Sequence, residues 1–336
     1  MITLASIACA DDSLSWKALP PLPEPLGVAG PLAGVSGDAL LVAGGAHFPD
    51  KMPWEGGRKV WLDTVWVLER PDAAWRVAGK LPGPLGYGVS VSHRGSVVCA
   101  GGSDSERHHA EVFRLRWQGG ALEREALPPL PLPLSGAAGA LVGDVLYVAC
   151  GASEPGELAA TNRAFALDLA MAEPAWRELA PLPGKARLLA AGASGGENFY
   201  VFGGAALERQ ADGKVAREYL REAWSYRPGE GWHRLADLPK PSVAAPAPAP
   251  EVKGRVLLIG GDDGSRVGFQ PVAQHPGFPG AILTYDVARD SWSEMGTTPA
   301  PRATVPCVEW KGRWILPSGE VRPGVRSPEV WSFTAR

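Results

Sequence analysis

Six times along the chain an apolar run closes on a pair of small or turn-forming residues. The copies are Leu40-Leu41-Val42-Ala43-Gly44-Gly45, Val97-Val98-Cys99-Ala100-Gly101-Gly102 and Leu146-Tyr147-Val148-Ala149-Cys150-Gly151. Three more follow: Phe199-Tyr200-Val201-Phe202-Gly203-Gly204, Val256-Leu257-Leu258-Ile259-Gly260-Gly261 and Trp314-Ile315-Leu316-Pro317-Ser318-Gly319. They recur at about 50 to 60 residues, a period that belongs to arrays of stacked supersecondary units sharing a core.

Each copy carries the same accessories. A small-residue strand and short turn precede it, as in Ala33-Gly34-Val35-Ser36-Gly37-Asp38. A variable loop and a third strand follow, as in Asp63-Thr64-Val65-Trp66-Val67-Leu68 and Ala281-Ile282-Leu283-Thr284-Tyr285-Asp286. A fourth strand bears a tryptophan at Trp75, Trp176, Trp232 and Trp292, replaced in the second copy by Leu122-Glu123-Arg124-Glu125-Ala126-Leu127. The sixth copy runs out of chain after its third strand, Glu329-Val330-Trp331-Ser332-Phe333. Its fourth is predicted at the other terminus, Ser15-Trp16-Lys17-Ala18-Leu19, so that the ring closes and no long edge is left exposed. The expectation is an all-β, six-bladed β-propeller forming one domain over residues 1–336. Pro-rich pieces such as Leu127-Pro128-Pro129-Leu130-Pro131 fall where blades connect, and a missing N–H costs no ladder bond there. Residues 243–250, rich in Ala and Pro, are expected to form the innermost strand of the fifth blade and its approach.

Composition narrows the partners. Forty-two Gly and 33 Pro in 336 residues suit many short strands and turns. A net charge of −3 argues against nucleic acid or an acidic membrane surface as a bulk electrostatic partner. No apolar run approaches the roughly 20 residues that span a bilayer. Cys99, Cys150 and Cys307 sit in apolar runs without metal-ligand spacing and read, with Cys9, as inert thiols. His108-His109 is not a metal pair, since neighbours on an extended segment point opposite ways. No metal site is expected. Asp262-Asp263-Gly264-Ser265 lacks the rest of a calcium loop and reads as a turn.

The chemistry concentrates in Ser318-Gly319-Glu320-Val321-Arg322-Pro323-Gly324-Val325-Arg326. A tight turn at Pro323-Gly324 would hold Glu320 and Arg326 side by side at the mouth of whatever the preceding strand lines. In a four-stranded blade the loops after the second strands all open on one face. There they gather His47, Lys51, Trp54, Arg58, Lys59, Gln274, His275, Phe278, Glu320 and Arg326, with Arg187 and Arg302 pointing to the same channel mouth. The bland alternatives are structural or solvated histidines at 47 and 275, a loop-packing Trp54, and plain surface charge at Arg58 and Lys59.

The repeat resembles the kelch-type propellers. Residues 44–59, from Gly44-Gly45-Ala46-His47-Phe48-Pro49 to Gly57-Arg58-Lys59, and the Gly-Glu-x-x-Pro-Gly-x-Arg element of Gly319–Arg326 look like the signatures of the sialic acid mutarotases, or N-acetylneuraminate epimerases. The blade order resembles the cyclically permuted branch of that family. The resemblance implies Glu320 and Arg326 as the active-site pair. Substrate contacts are expected from Arg58, Lys59, Trp54, His47, His275, Arg187 and Arg302. It implies a sialic acid substrate, general acid–base ring opening that interconverts the α and β anomers, and no cofactor. A guanidinium matches the sugar carboxylate, Glu320 serves as base, and His275 or a water supplies the acid. It also implies a periplasmic setting. Residues 1–10 lack a basic segment and are too short for a full export signal, so the cytoplasm stays open as well. The alternative function is a non-catalytic kelch propeller that binds protein or carbohydrate, because the fold alone is no evidence for an enzyme.

Overall fold

Period-two apolar patterning builds a four-stranded antiparallel sheet from each repeat. The computed structural model, which describes residues 14–154 and 158–335, contains six such sheets arranged as a six-bladed propeller. Blade one is Leu32–Ser36, Ala39–Ala43, Thr64–Leu68 and Arg76–Lys80. Blades two, three and four follow the same order. Blade six takes Val308–Trp310, Arg313–Pro317 and Val330–Ala335 from the C-terminal region, and Leu14–Leu19 completes it. That last strand pairs antiparallel from Leu14↔Ala335 to Leu19↔Val330, so the ring closes as the missing strand foretold. Cys9 and the first ten residues lie outside the described residues. Cys99, Cys150 and Cys307 are buried and free, and burial pushes their thiols up.

The recurring tryptophans join neighbouring blades. The indole of Trp75 donates to Pro20 O, Trp176 to Pro128 O, Trp232 to Ala180 O and Trp292 to Ala236 O, at 2.7–2.9 Å. Each acceptor lies just after the outer strand of the blade before, so one side chain fills inter-blade core and satisfies a connector carbonyl. Blade two has no such indole, and Leu122 packs there over Gly79.

Blade five departs from expectation. Its inner strand is only Glu251–Val252, and residues 243–250 line the channel without a ladder. Pro246, Pro248 and Pro250 remove every second N–H from that stretch, so no regular pairing can form.

The second residue of each terminating pair ties its blade to the next connector. The N–H groups of Gly45, Gly102, Gly151, Gly204, Gly261 and Gly319 donate to the carbonyls of Leu85, Leu134, Arg187, Ser242, Arg302 and Val28 at 2.7–2.9 Å. The first residue of the pair is equally constrained. Gly44 has φ +63°, and a Cβ there would meet Leu85 O at 2.1 Å. Gly44→Ala is therefore expected to destabilise by about 3 kcal/mol, combining left-handed strain with a backbone clash that cannot relax. A urea midpoint unchanged from the parent protein would contradict this.

Inside these ties runs a second ring. Gly30 N donates to Thr304 O, Thr304 N to Ala244 O, Ala244 N to Leu189 O, Leu189 N to Gly136 O, Gly136 N to Tyr87 O, and Tyr87 N to Gly30 O. All six residues hold φ between +51° and +62°, four of them without being glycine. The closed ring over-determines a conformation that would cost each side-chain-bearing residue about 1–2 kcal/mol alone. It narrows the channel. A hollow of about 440 Å³ lies on one side, with Tyr87, Leu189, Ala244 and Thr304 as its floor, and one of about 80 Å³ on the other.

Candidate active site

The larger hollow is walled by the loops that follow second strands, namely residues 46–62, 205–220, 262–280 and 320–328. Its centre is a hairpin of Glu320–Arg322 and Val325–Arg326, with Glu320 directly opposite Arg326 in register. Pro323-Gly324 makes the turn, and Gly324 takes φ +80° as such a turn requires. The 3₁₀ turn Pro53–Glu55 lies over it so closely that a Cβ on Gly324 would meet Pro53 at 2.7 Å and Trp54 at 3.1 Å.

Glu320 is held by three elements. Gly324 N donates to Oε1 at 2.6 Å, and the Thr304 hydroxyl donates to Oε2 at 3.3 Å. The backbones of Glu320 and Ala303 exchange hydrogen bonds at 2.9 and 3.0 Å. Arg326 Nη2 is 4.0 Å from Glu320 Oε2, with the two side chains 4% and 16% exposed. The guanidinium lies 4.7 Å from the centre of the Phe48 ring and donates one hydrogen bond, from Nη1 to Gly324 O. Its Nε is buried without a partner among the described residues. A buried guanidinium with donors to spare, facing a cavity, is a site for an anion.

Of the other residues expected at this site, Lys59 and His275 line the hollow. Lys59 Nζ lies 4.9 Å from the Tyr87 ring centre and 5.2 Å from that of Trp61. His275 is buried, and its Nδ1 accepts from Gly277 N at 3.1 Å, which assigns the proton of the neutral ring to Nε2. Trp54 packs on the hairpin turn and Arg58 is exposed, both outside the lining. His47 is buried with Nδ1 3.4 Å from Glu24 Oε1, also outside it.

Arg187 and Arg302 do not point into the channel mouth; both guanidiniums are fully buried between blades. Arg187 donates from Nε to Lys185 O at 2.9 Å, from Nη1 to Gly203 O at 3.1 Å, and from Nη2 to Glu222. Arg302 repeats the pattern, with Nη1 on Ser318 O and Nη2 on Glu329 Oε2, both at 2.8 Å. In both blades a tryptophan two residues on, Trp224 or Trp331, donates to the same carboxylate. The Nη groups of both are spent on a carbonyl and a carboxylate of the adjoining blade, and although Arg302 Nε has no partner among the described residues, the two arginines clamp connector to blade.

The wall also holds residues that sequence reasoning passed over: Phe48, Arg217, Tyr219, Asp262, Arg266 and Phe269. Asp262 alone had a usable signal, since it follows Gly260-Gly261 as Glu320 follows Ser318-Gly319. The others come from loops without a repeat pattern.

Comparison with known proteins gives the same direction. The profile of the family described as N-acetylneuraminate epimerase matches residues 3–123 and 127–268. The N-acetylneuraminate epimerase of Yersinia enterocolitica is 41% identical over 111 residues, 30% of this chain and 27% of that protein. That of Brucella suis is 40% identical over 131 residues, covering 34% of this chain and 33% of the relative. That of Yersinia pestis is 40% identical over 109 residues, covering 30% and 27%. The chain thus aligns with about a third or less of the length of these curated relatives, and the family match ends before the Glu320–Arg326 hairpin.

Proposed function

Because the chain belongs to the N-acetylneuraminate epimerase family, we propose that it interconverts the α and β anomers of N-acetylneuraminate in the hollow closed by the 320–326 hairpin. One observation carries the reading. A carboxylate fixed by a backbone N–H and a hydroxyl stands opposite a nearly buried guanidinium with unused donors, in one sugar-sized cavity. In the proposed reaction Arg326 binds the sugar carboxylate, spending its charge there rather than on Glu320. Glu320 takes the proton of the anomeric hydroxyl as C2=O forms and the bond from C2 to the ring oxygen breaks. A donor, His275 Nε2–H or a water, protonates the departing ring oxygen. Rotation about the bond joining C2 to C3 and the reverse proton transfers close the ring on the opposite face. The sequence of steps uses no cofactor.

The direct test follows the α-anomer NMR signals of freshly dissolved N-acetylneuraminate with and without protein. Equal decay in both tubes would remove the enzyme reading, and binding without acceleration would leave a carbohydrate-binding module. Arg326→Lys keeps the charge and loses the planar fork, so KM is expected to rise about 10- to 100-fold. An unchanged KM would move the carboxylate subsite elsewhere on the wall.

A further inference from the structure

Asp262 occupies in blade five the position that Glu320 occupies in blade six. Each follows the pair that ends a second strand, and each is bridged to its connector, Val243↔Asp262 and Ala303↔Glu320. The same position is Ala46, Ser103, Ala152 and Ala205 in the other four blades. Of six equivalent positions, only two neighbours carry carboxylates, and both are on the wall of the same hollow. The two connectors are joined directly, by Thr304 N donating to Ala244 O at 2.8 Å.

The two carboxylates are also held alike. Asp262 Oδ1 accepts from Gly264 N at 2.9 Å, and Oδ2 accepts from the Tyr219 hydroxyl at 2.8 Å. Tyr219 ends the hairpin Ala205–Arg209 and Val215–Tyr219, which blade four projects toward the cavity. Burial and the neighbouring Asp262 charge push the Tyr219 phenol up, so its proton stays committed to the carboxylate.

What the Asp262–Tyr219 pair itself leaves is a set of acceptors: the spare lone pairs of two carboxylate oxygens, and of a phenol oxygen whose proton is spent. Arg266, nearby on the wall, directs Nη1 at Gly277 O. With Arg217 also on this wall, Asp262 is the chemical opposite of Arg326, because it is completed by O–H or N–H groups. We propose that Asp262, oriented by Tyr219, accepts the hydroxyl and amide donors of the bound sugar acid away from its carboxylate, and thereby selects which sugar acids the cavity takes. This rests on the reading of the hollow as a sugar-acid site. Asp262 binds, and Tyr219 positions it.

The experiment measures N-acetylneuraminate binding by calorimetry, together with kcat and KM for anomer exchange, in the parent protein, Asp262→Asn, Asp262→Ala and Tyr219→Phe. Asp262→Asn is near-isosteric and Tyr219→Phe removes only a hydroxyl, so a folding failure of Asp262→Ala leaves two readable variants. Kd and KM are expected to rise together by about 10- to 100-fold in the Asp262 variants, the loss of a charged acceptor. The rise in Tyr219→Phe is expected to be about 3- to 10-fold, with kcat held within about threefold throughout. An unchanged Kd in Asp262→Asn overturns the proposal. So does a fall in kcat at constant Kd, which would make Asp262 a proton-transfer group. Calorimetry needs no turnover: a parent protein that binds the sugar without speeding anomer exchange fails as an enzyme while the Asp262 comparison is still read. A parent protein that binds no sugar overturns both.

Discussion

Glu320→Gln is expected to abolish protein-dependent anomer exchange, a loss of about 100- to 10,000-fold, and to leave the fold intact. The amide matches the carboxylate in size, so its oxygen can still accept from Gly324 N, and the Pro323-Gly324 turn keeps its anchor. Only the capacity to take a proton disappears. Binding should survive, because Arg326 and the aromatic face of Phe48 are untouched. The measurement is the α-anomer decay at saturating substrate, alongside a melting curve and a calorimetric Kd. Activity within a few-fold of the parent protein would take Glu320 out of the mechanism. Lost activity with lost folding would instead make the hairpin a structural element.

The second large effect lies away from the cavity. Arg187→Ala should destabilise by about 3 kcal/mol while leaving KM unchanged. The substitution removes three hydrogen bonds made by a fully buried guanidinium, takes the Arg187 partner from Gly203 O, and leaves the Glu222 carboxylate with only Trp224 and Arg234. Glu222 is a quarter exposed, so water recovers part of the loss, which keeps the figure at the lower end for a broken buried pair. The pH dependence carries a sign. Burial pushes the Glu222 carboxyl up, but the Arg187 hydrogen bond and charge, together with the Trp224 hydrogen bond and the Arg234 charge, outweigh it, and the net shift is downward. A carboxyl lowered on folding contributes stability above its unfolded value and loses it as pH falls through its folded one. The gap between parent and variant should therefore be full at neutral pH and shrink below the ordinary glutamate range. Urea titrations at several pH values check this. A raised KM at unchanged stability would return Arg187 to the substrate-binding set.

The arginines mark where reading a sequence stops. Arg187 and Arg302 share a repeat position, and their charge at a channel-facing connector suggested a ligand. What decides their role is Glu222 and Glu329, 35 and 27 residues on in the chain, brought beneath them by the folding of the blade that each connector enters. Local order does not encode that distance. Glu320 and Arg326 were legible because a seven-residue hairpin holds them together, and only a Pro-Gly turn is needed to set their register. Asp262 lies between the two cases. Its place after Gly260-Gly261 was visible, yet Asp262-Asp263-Gly264-Ser265 also reads as a turn, and Gly264 does cap it. Only the hydroxyl of Tyr219, from another blade, separates a ligand-facing acid from a turn residue.

By itself the sequence determined the number of blades, their strand order, closure by Leu14–Leu19, and the hairpin that pairs an acid with a guanidinium. All of these follow from short-range periodicity, turn chemistry and a repeat counted along the chain. Tertiary structure alone decided which charged side chains face the cavity and which are spent between blades. A charge that finds a partner on a strand distant in the chain is spent there, and one that finds none keeps its donors or acceptors for a ligand. Arg302 and Arg326 are both buried arginines, each with an unpartnered Nε among the described residues, but Arg302 Nη2 is spent on the Glu329 carboxylate whereas Arg326 lines the cavity.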